Sequence, residues 1–273
     1  MGGPADALVR VDTRDELVRV LAFCHRSRLP VTVLGGGFNS LVRDGGIRGV
    51  VVRLGGLRGI ALSGDALVRA EAGVTHTQIT RFCAERGRAG LEFAVGIPGT
   101  VGGWIAMNAG IHGREMKDVL ETVELFLPER GEAVTCAAGS LVFRYRAAEL
   151  PPSAVVLSAT FRTAPAEPDE IRERQKQSMA QRRATQPVDQ PSCGSVFVNP
   201  PGDYAGRLIE AAGLKGAREG GAMISPLHAN FIVNTGNARA ADVLRLIERA
   251  RAEVLAQFGV ALETEVRITG EEP

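Results

Sequence analysis

Lysine is nearly missing from this chain. Of 32 lysines and arginines in 273 residues, only Lys117, Lys176 and Lys215 are lysine. The positive charge is therefore arginine, which suits bidentate recognition of carboxylate and phosphate, although a biased genome composition produces the same preference. Charge of one sign is missing too. The formal net charge is +1, so there is no electrostatic case for a nucleic-acid partner or an anionic membrane. No apolar run approaches membrane-spanning length, and the first residues lack a basic region followed by a long apolar stretch; neither membrane insertion nor a signal peptide is expected. The four cysteines, Cys24, Cys83, Cys136 and Cys193, are far apart and form no C-x-x-C pair, which argues against a zinc ribbon or redox dithiol. Two disulfides are arithmetically possible but unneeded by a chain with this much core, so reduced thiols and a cytoplasmic location are expected. His25, His76, His112 and His228 show no metal-ligand spacing, and no metal is expected.

What remains is globular composition, 45% hydrophobic and 23% charged, enough for one large or two modest domains. Thr13 to Arg26 reads as a helix with a Thr13/Glu16 capping box, and Thr75 to Arg86 as another with Thr75/Gln78. Val31–Leu34 and Val50–Leu54 read as strands. Ile60–Leu62 with Leu67–Glu71, and Thr122–Leu127 with Glu132–Thr135, read as hairpins. Val142–Arg146 leads into a strand over Ala154–Phe161. Thr163–Asp169, with Pro165 and Pro168, marks a boundary. Beyond it come a charged helix over Asp169–Arg183, a strand over Ser195–Val198, a helix over Asp203–Ala212, strands over Met223–Ser225 and Phe231–Asn234, a helix over Ala240–Phe258 and a closing strand over Leu262–Ile268. Short strands interleaved with helices predict an α+β fold.

The stretch Gly96–Gly110 holds five glycines, one proline and no charge. Glycine lets a ligand approach bare N–H groups, and Val101–Met107 reads as a helical turn whose start suits an anion. A second glycine run, Gly35–Asn39, lies between two strands. It opens no helix-length pattern and has Ser40 where a third Rossmann glycine would stand, and no Gly-Lys-Ser/Thr follows, so neither a Rossmann fingerprint nor a P-loop is present. Two such loops fit a dinucleotide with a pyrophosphate; the plainer reading is two tight turns. Ser195 opens a strand after a proline-rich loop but sits in no G-x-S-x-G elbow. Alternation puts Glu263, Glu265 and Arg267 on one strand face, and for Glu263 and Arg267 a solvated edge is the plainer reading.

Taken together, these segments resemble the UDP-N-acetylenolpyruvoylglucosamine reductases, flavoenzymes of bacterial peptidoglycan precursor synthesis. The resemblance runs from about Thr13 to Gly270. It rests on L-G-G-G-x-N at Leu34–Asn39, G-I-R-G-V-V ending at Val51, G-I-P-G-T-V-G-G at Gly96–Gly103, M-N-A-G at Met107–Gly110 and Y-R at Tyr145–Arg146. It rests further on P-S-C-G-S-V-F-x-N-P at Pro191–Pro200, A-G-x-L-I-E-x-A-G-L-K-G at Ala205–Gly216, H-A-N-F-I-V-N at His228–Asn234 and E-V-R at Glu265–Arg267. The chain is similar to the family's shorter type.

The resemblance implies the vanillyl-alcohol-oxidase/p-cresol-methylhydroxylase flavoprotein fold. An FAD-binding domain of two α+β subdomains would span residues 1–165, and a C-terminal α+β substrate domain residues 166–273. Noncovalent FAD would be held by Gly35, Gly36, Gly37, Phe38, Asn39, Ser40 and Leu41 and by Gly96, Ile97, Pro98, Gly99, Thr100, Gly102 and Gly103, with Asn108 and Ala109 close to the flavin. NADPH would supply hydride, and the enolpyruvyl ether of UDP-N-acetylglucosamine would receive it. Arg146 and Glu265 would stabilise charge on the substrate carboxylate, Glu265 only if protonated or bridged by water. Ser195 would deliver a proton. Tyr145, Asn199 and Lys215 match substrate-touching positions. A monomer is expected. Phe38, Trp104 and Thr264 depart from the pattern; Trp104 must point away from FAD or narrow the cleft, and Thr264 in place of proline should loosen its strand. Another FAD oxidoreductase of the same fold, or a nucleotide-binding protein without catalysis, are the competing readings.

Overall fold

The computed structural model describes residues 1–273. Its contacts divide the chain into two units. The larger comprises residues 7–36 and 49–180, and the smaller residues 1–6, 37–48 and 181–273. This partition differs from a continuous division at 165/166 in two ways. The N-terminal segments 1–6 and 37–48 belong with the C-terminal residues, and the helix Pro168–Thr185 spans the change of unit.

In the larger unit two layers each pair a sheet with helix. Helix α1 (Arg14–Arg26) starts at Thr13, whose hydroxyl accepts from the Glu16 N–H while the Glu16 carboxylate reaches back, satisfying orphan donors at the helix start. Its Leu17, Leu21 and Cys24 are buried at helical spacing. The associated strands are Ala5–Arg10, Ile47–Arg53 and Val31–Leu34, in that order, with Val31–Leu34 parallel to Val50–Arg53. The second layer is a five-stranded antiparallel sheet, in the order Glu132–Ala137, Leu120–Leu127, Val155–Arg162, Leu67–Glu71, Ile60–Leu62. Helices α2 (His76–Glu85) and α3 (Val101–Ala106) belong to this layer. The Thr75/Gln78 capping box is formed at α2. An ion-pair cluster ties α1 to the sheet. Arg14 Nη1 and Nη2 donate to Glu124 at 2.6 and 2.9 Å, Arg14 Nε reaches Glu71 at 3.3 Å, and Arg69 and Ser158 complete the Glu124 shell at 2.8 Å each. Hydrogen bonding from Arg14 holds the Glu124 carboxyl down at about 2.

The smaller unit has a four-stranded antiparallel sheet ordered Ser192–Ser195, Phe231–Asn234, Ala222–Ile224, Arg218–Glu219. Helix α6 (Ala240–Phe258) buries Val243, Leu246, Ile247, Ala250 and Val254 in this unit's core. Segment 37–48 is bound into this unit at both ends. Asp44 accepts from the Ala240 and Ala241 N–H groups at 2.9 Å each, and Ser40–Val42 pairs in parallel with Arg267–Thr269. The expected strand Leu262–Ile268 is therefore shorter in its ladder, Arg267–Thr269, and Thr264 meets Phe197 only in an isolated bridge. In that bridge the neighbouring Glu265 N–H donates to Val196 and Glu263 accepts from Val198, while no backbone carbonyl accepts from Thr264, so threonine in place of proline adds no ladder bond there. The α+β class is the observed one.

Candidate functional site

The two glycine loops meet inside the larger unit. A Cβ placed on Gly35 would stand 2.8 Å from Thr100 Oγ1, so the two loops approach closely there and a larger residue would push the threonine hydroxyl aside. Gly96 (φ 78°) and Gly99 (φ 126°) sit in the left-handed half of backbone space. Gly102 lies against Ala72, whose Cβ would be 3.1 Å from an added methyl. Of the donors at the start of α3, Val101 and Gly102 are already spent on the carbonyls of Val74 and Ala72 at 2.9 Å each, whereas no backbone carbonyl accepts from Gly99, Thr100 or Gly103. The cradle is thus narrower than the whole glycine run. Its uncharged lining, close loop approach and donors not spent on backbone carbonyls fit a diphosphate bound by backbone groups.

Trp104 resolves in a direction of its own. Its side chain is buried in the core of the larger unit, and Nε1 donates to the Ile97 carbonyl at 3.3 Å. It therefore faces inward and braces the glycine loop from behind. Asn108 is also committed. It is fully buried, with Nδ2 donating to Glu115 Oε2 (2.9 Å) and the Arg144 carbonyl (3.0 Å) and Oδ1 accepting from the Lys117 N–H (3.1 Å). Arg146 stands in the two-residue turn between Val142–Arg144 and Ala147–Glu149, with φ 60°. Its guanidinium lies 4.6 Å from the Tyr145 ring centre, and Nη1 is 4.0 Å from Glu115 Oε1.

The first glycine loop runs from one unit into the other, with Gly35 and Gly36 in the larger and Gly37 to Leu41 in the smaller. In the smaller unit that loop, Ser195 and Glu265 are brought together. Ser192 faces Val233 and Ser195 faces Phe231, leaving one extra residue on the serine strand: a bulge, with Gly194 at φ 76° supplying the positive angle it requires. Such bulges re-aim the following side chain. On the other side the Glu265 N–H donates to the Val196 carbonyl at 2.8 Å. Asn39 Nδ2 donates to the Glu265 carbonyl at 3.1 Å, and the Asn39 carbonyl accepts from the Arg267 N–H at 3.0 Å. A Cβ on Gly194 would be 3.6 Å from the Phe38 carbonyl oxygen. The Phe38 ring itself is exposed. Glu265 is half-buried while Glu263 and Arg267 on the same face are exposed, so one of three alternating charges differs from a solvated edge.

Asn199 and Lys215 lie in the same unit but away from the bulge in sequence. Asn199 Oδ1 accepts from the Ala205 N–H at 3.0 Å, capping α5 (Ala205–Ala211), and Lys215 Nζ pairs with Glu210 at 2.7 Å. Two residues had no site role from sequence. Buried Asn230 clamps Phe197, accepting from its N–H at 2.9 Å and donating to its carbonyl at 2.8 Å, which fixes the segment that follows the strand Ser192–Ser195, where the expected strand over Ser195–Val198 is not formed. Glu115 faces Arg146 as described. Asn230 lay inside a quoted motif, whereas Glu115 carried no sequence signal.

A family model described as UDP-N-acetylenolpyruvoylglucosamine reductase, C-terminal domain, matches residues 186–269, and one described as FAD binding domain matches residues 5–137. The chain is 48% identical over 274 residues to the UDP-N-acetylenolpyruvoylglucosamine reductase of Anaeromyxobacter dehalogenans, covering 100% of this chain and 82% of that protein. It belongs to the UDP-N-acetylenolpyruvoylglucosamine reductase family. The reductase of Geobacter metallireducens is 46% identical, with 100% of this chain and 90% of that protein covered. The crystal structure of the UDP-N-acetylenolpyruvylglucosamine reductase from Thermus caldophilus superimposes with a TM-score of 0.82 at 38% identity, over 97% of this chain and 92% of that one. With the family comes its activity: FAD-dependent reduction of the enolpyruvyl ether of UDP-N-acetylglucosamine, with NADPH as hydride donor, in peptidoglycan precursor synthesis. No helix of this reductase is long and apolar enough to cross a membrane.

Proposed function

We propose that the reductase divides its work between backbone and side chains. FAD is held noncovalently by Gly35 to Leu41 and by Gly96 to Gly103, through N–H groups such as those of Gly99, Thr100 and Gly103, with the backbone of Asn108 and Ala109 near the flavin. When bound there, FAD would supply the hydride chemistry that links NADPH to the terminal alkene carbon of the substrate. Charge then grows on the adjacent carbon and its carboxylate. Arg146, a planar fork of donors, binds and steadies that carboxylate; Glu265 joins it only as the protonated acid or through a bridging water. Ser195 gives its hydroxyl proton to the carbon next to the carboxylate and is reprotonated from solvent. Tyr145, Asn199 and Lys215 contact the nucleotide sugar. Residues 1–165 hold the cofactor and also bring Tyr145 and Arg146 to the substrate, while 166–273 form the substrate-binding domain. We place the protein in the cytoplasm, where NADPH and nucleotide sugars are available and where its four free cysteines stay reduced.

The observation that carries these roles is the bulge at Gly194, which aims Ser195 from a strand flanked by Glu265 on one side and linked to the glycine loop through Asn39. The test is rapid mixing with Ser195→Ala. NADPH should bleach the flavin at the wild-type rate, while reoxidation by the enolpyruvyl substrate should slow by about 100-fold or more, the usual worth of a positioned general acid. Equal loss of both half-reactions would make Ser195 a structural residue instead.

A further inference from the structure

The turn that carries Arg146 is held by a chain of side chains reaching back to the end of α3. Arg146 adopts φ 60° without being glycine, a strained conformation that surrounding contacts must sustain. Asn108, fully buried, supplies one such contact by donating to the Arg144 carbonyl at 3.0 Å, two residues before Arg146. Its other amide hydrogen goes to Glu115 Oε2 at 2.9 Å, and the same oxygen receives Lys117 Nζ at 2.8 Å. One carboxylate oxygen of Glu115 is therefore anchored twice. The other, Oε1, faces Arg146 Nη1 at 4.0 Å, with the two side chains only 13% and 19% exposed. Across the guanidinium lies the Tyr145 ring.

We propose that Glu115, itself held by Asn108, is the positioning residue of Arg146: its anchored carboxylate aims the guanidinium at the carboxylate of the enolpyruvyl group. The proposal rests on the reading of Arg146 as a substrate-carboxylate ligand. An arginine side chain loses much rotamer freedom on being held in one place, so a fixed counter-charge at one edge preorganises it before substrate arrives. A guanidinium carries five N–H donors, and a partner along one edge does not exhaust them. Glu115 acts through Arg146 and makes no contact with the reacting atoms in this account.

The test uses Glu115→Gln holoenzyme with two readouts. In rapid mixing, flavin reduction by NADPH should match wild type while reoxidation by the enolpyruvyl substrate slows by about 100-fold, the effect of a misplaced binding group. In calorimetric titration of oxidised enzyme, affinity for UDP-N-acetylmuramate, which carries the carboxylate, should weaken about tenfold, while affinity for UDP-N-acetylglucosamine, which lacks it, stays unchanged. Wild-type reoxidation, or equal loss in both half-reactions or for both nucleotides, would overturn the proposal. Should Glu115→Gln lose its flavin, the same comparison is read on Glu115→Asp, where an intermediate defect is expected and normal reoxidation overturns it. Arg146→Ala run in parallel separates the two readings. Normal reoxidation there sinks the role of Arg146 itself; slow reoxidation there with normal Glu115→Gln sinks only the positioning role. Adding Glu115→Gln to Arg146→Ala should slow the enzyme no further.

Discussion

The loop Gly96–Gly103 in the larger unit and the bulge at Gly194 in the smaller use their polar atoms in opposite ways. In Gly96–Gly103 the groups left unspent are backbone N–H groups, and the nearby large side chains, Trp104 and Asn108, are buried and brace the loop or its neighbours. Across Ser195–Val196 the backbone is spent on pairing, Ser195 with Phe231 and Val196 with Glu265, and the groups left to act are side chains. A diphosphate needs several modest donors at close range, which glycine backbone supplies; proton delivery needs one hydroxyl in one place, which a bulge supplies. Glycine serves both ends, once by letting a ligand close and once by turning a strand.

The comparison breaks most severely at Trp104. Trp104→Ala removes a fully buried side chain and the brace on Ile97, and should cost about 3–5 kcal/mol of stability in denaturant unfolding. Trp104→Phe keeps the packing and loses the hydrogen bond, so it should cost only about 1 kcal/mol. Gly102→Val comes next. An added side chain meets Ala72 at 3.1 Å, and the overpacking should cost about 1–3 kcal/mol and leave purified protein with less flavin per chain, measured by absorbance. The smallest effect belongs to Glu124, remote from both loops. Its carboxyl falls from 4.5 to about 2 in the folded protein, chiefly through the hydrogen bond from Arg14. That contribution is present above the unfolded value and is lost as pH falls from 4.5 towards 2. Solvent screening keeps it under about 1 kcal/mol, so Glu124→Gln should lower the melting temperature slightly at pH 7 and not at all near pH 2.

Much of this was legible in the residues. Both threonine capping boxes formed at their helices, and Phe231–Asn234 and Ala240–Phe258 have the ends their patterns predict, because local hydrogen bonding and apolar spacing decide them. The strand Ala5–Arg10 was missed; its burial scarcely alternates, and its partner Ile47–Arg53 lies some way along the chain. The membership of segment 37–48 in the smaller unit depends on Asp44 reaching the start of α6, a contact with no local pattern. At the site, glycine runs and motif order pointed to the loops, to Arg146, Ser195 and Glu265. Which donors in the Gly96–Gly103 run are already spent, the inward turn of Trp104, and the Asn108–Glu115 brace all depend on tertiary neighbours and left no trace in spacing.

The division of labour between backbone and side chains is tested most directly by FAD occupancy measured beside turnover in Arg146→Ala and Ser195→Ala. Both proteins should purify as yellow as wild type, with FAD affinity unchanged, while turnover falls by about 100-fold or more. Flavin lost in proportion to turnover in either variant would contradict the account, because a side chain assigned to the substrate would then be holding the cofactor.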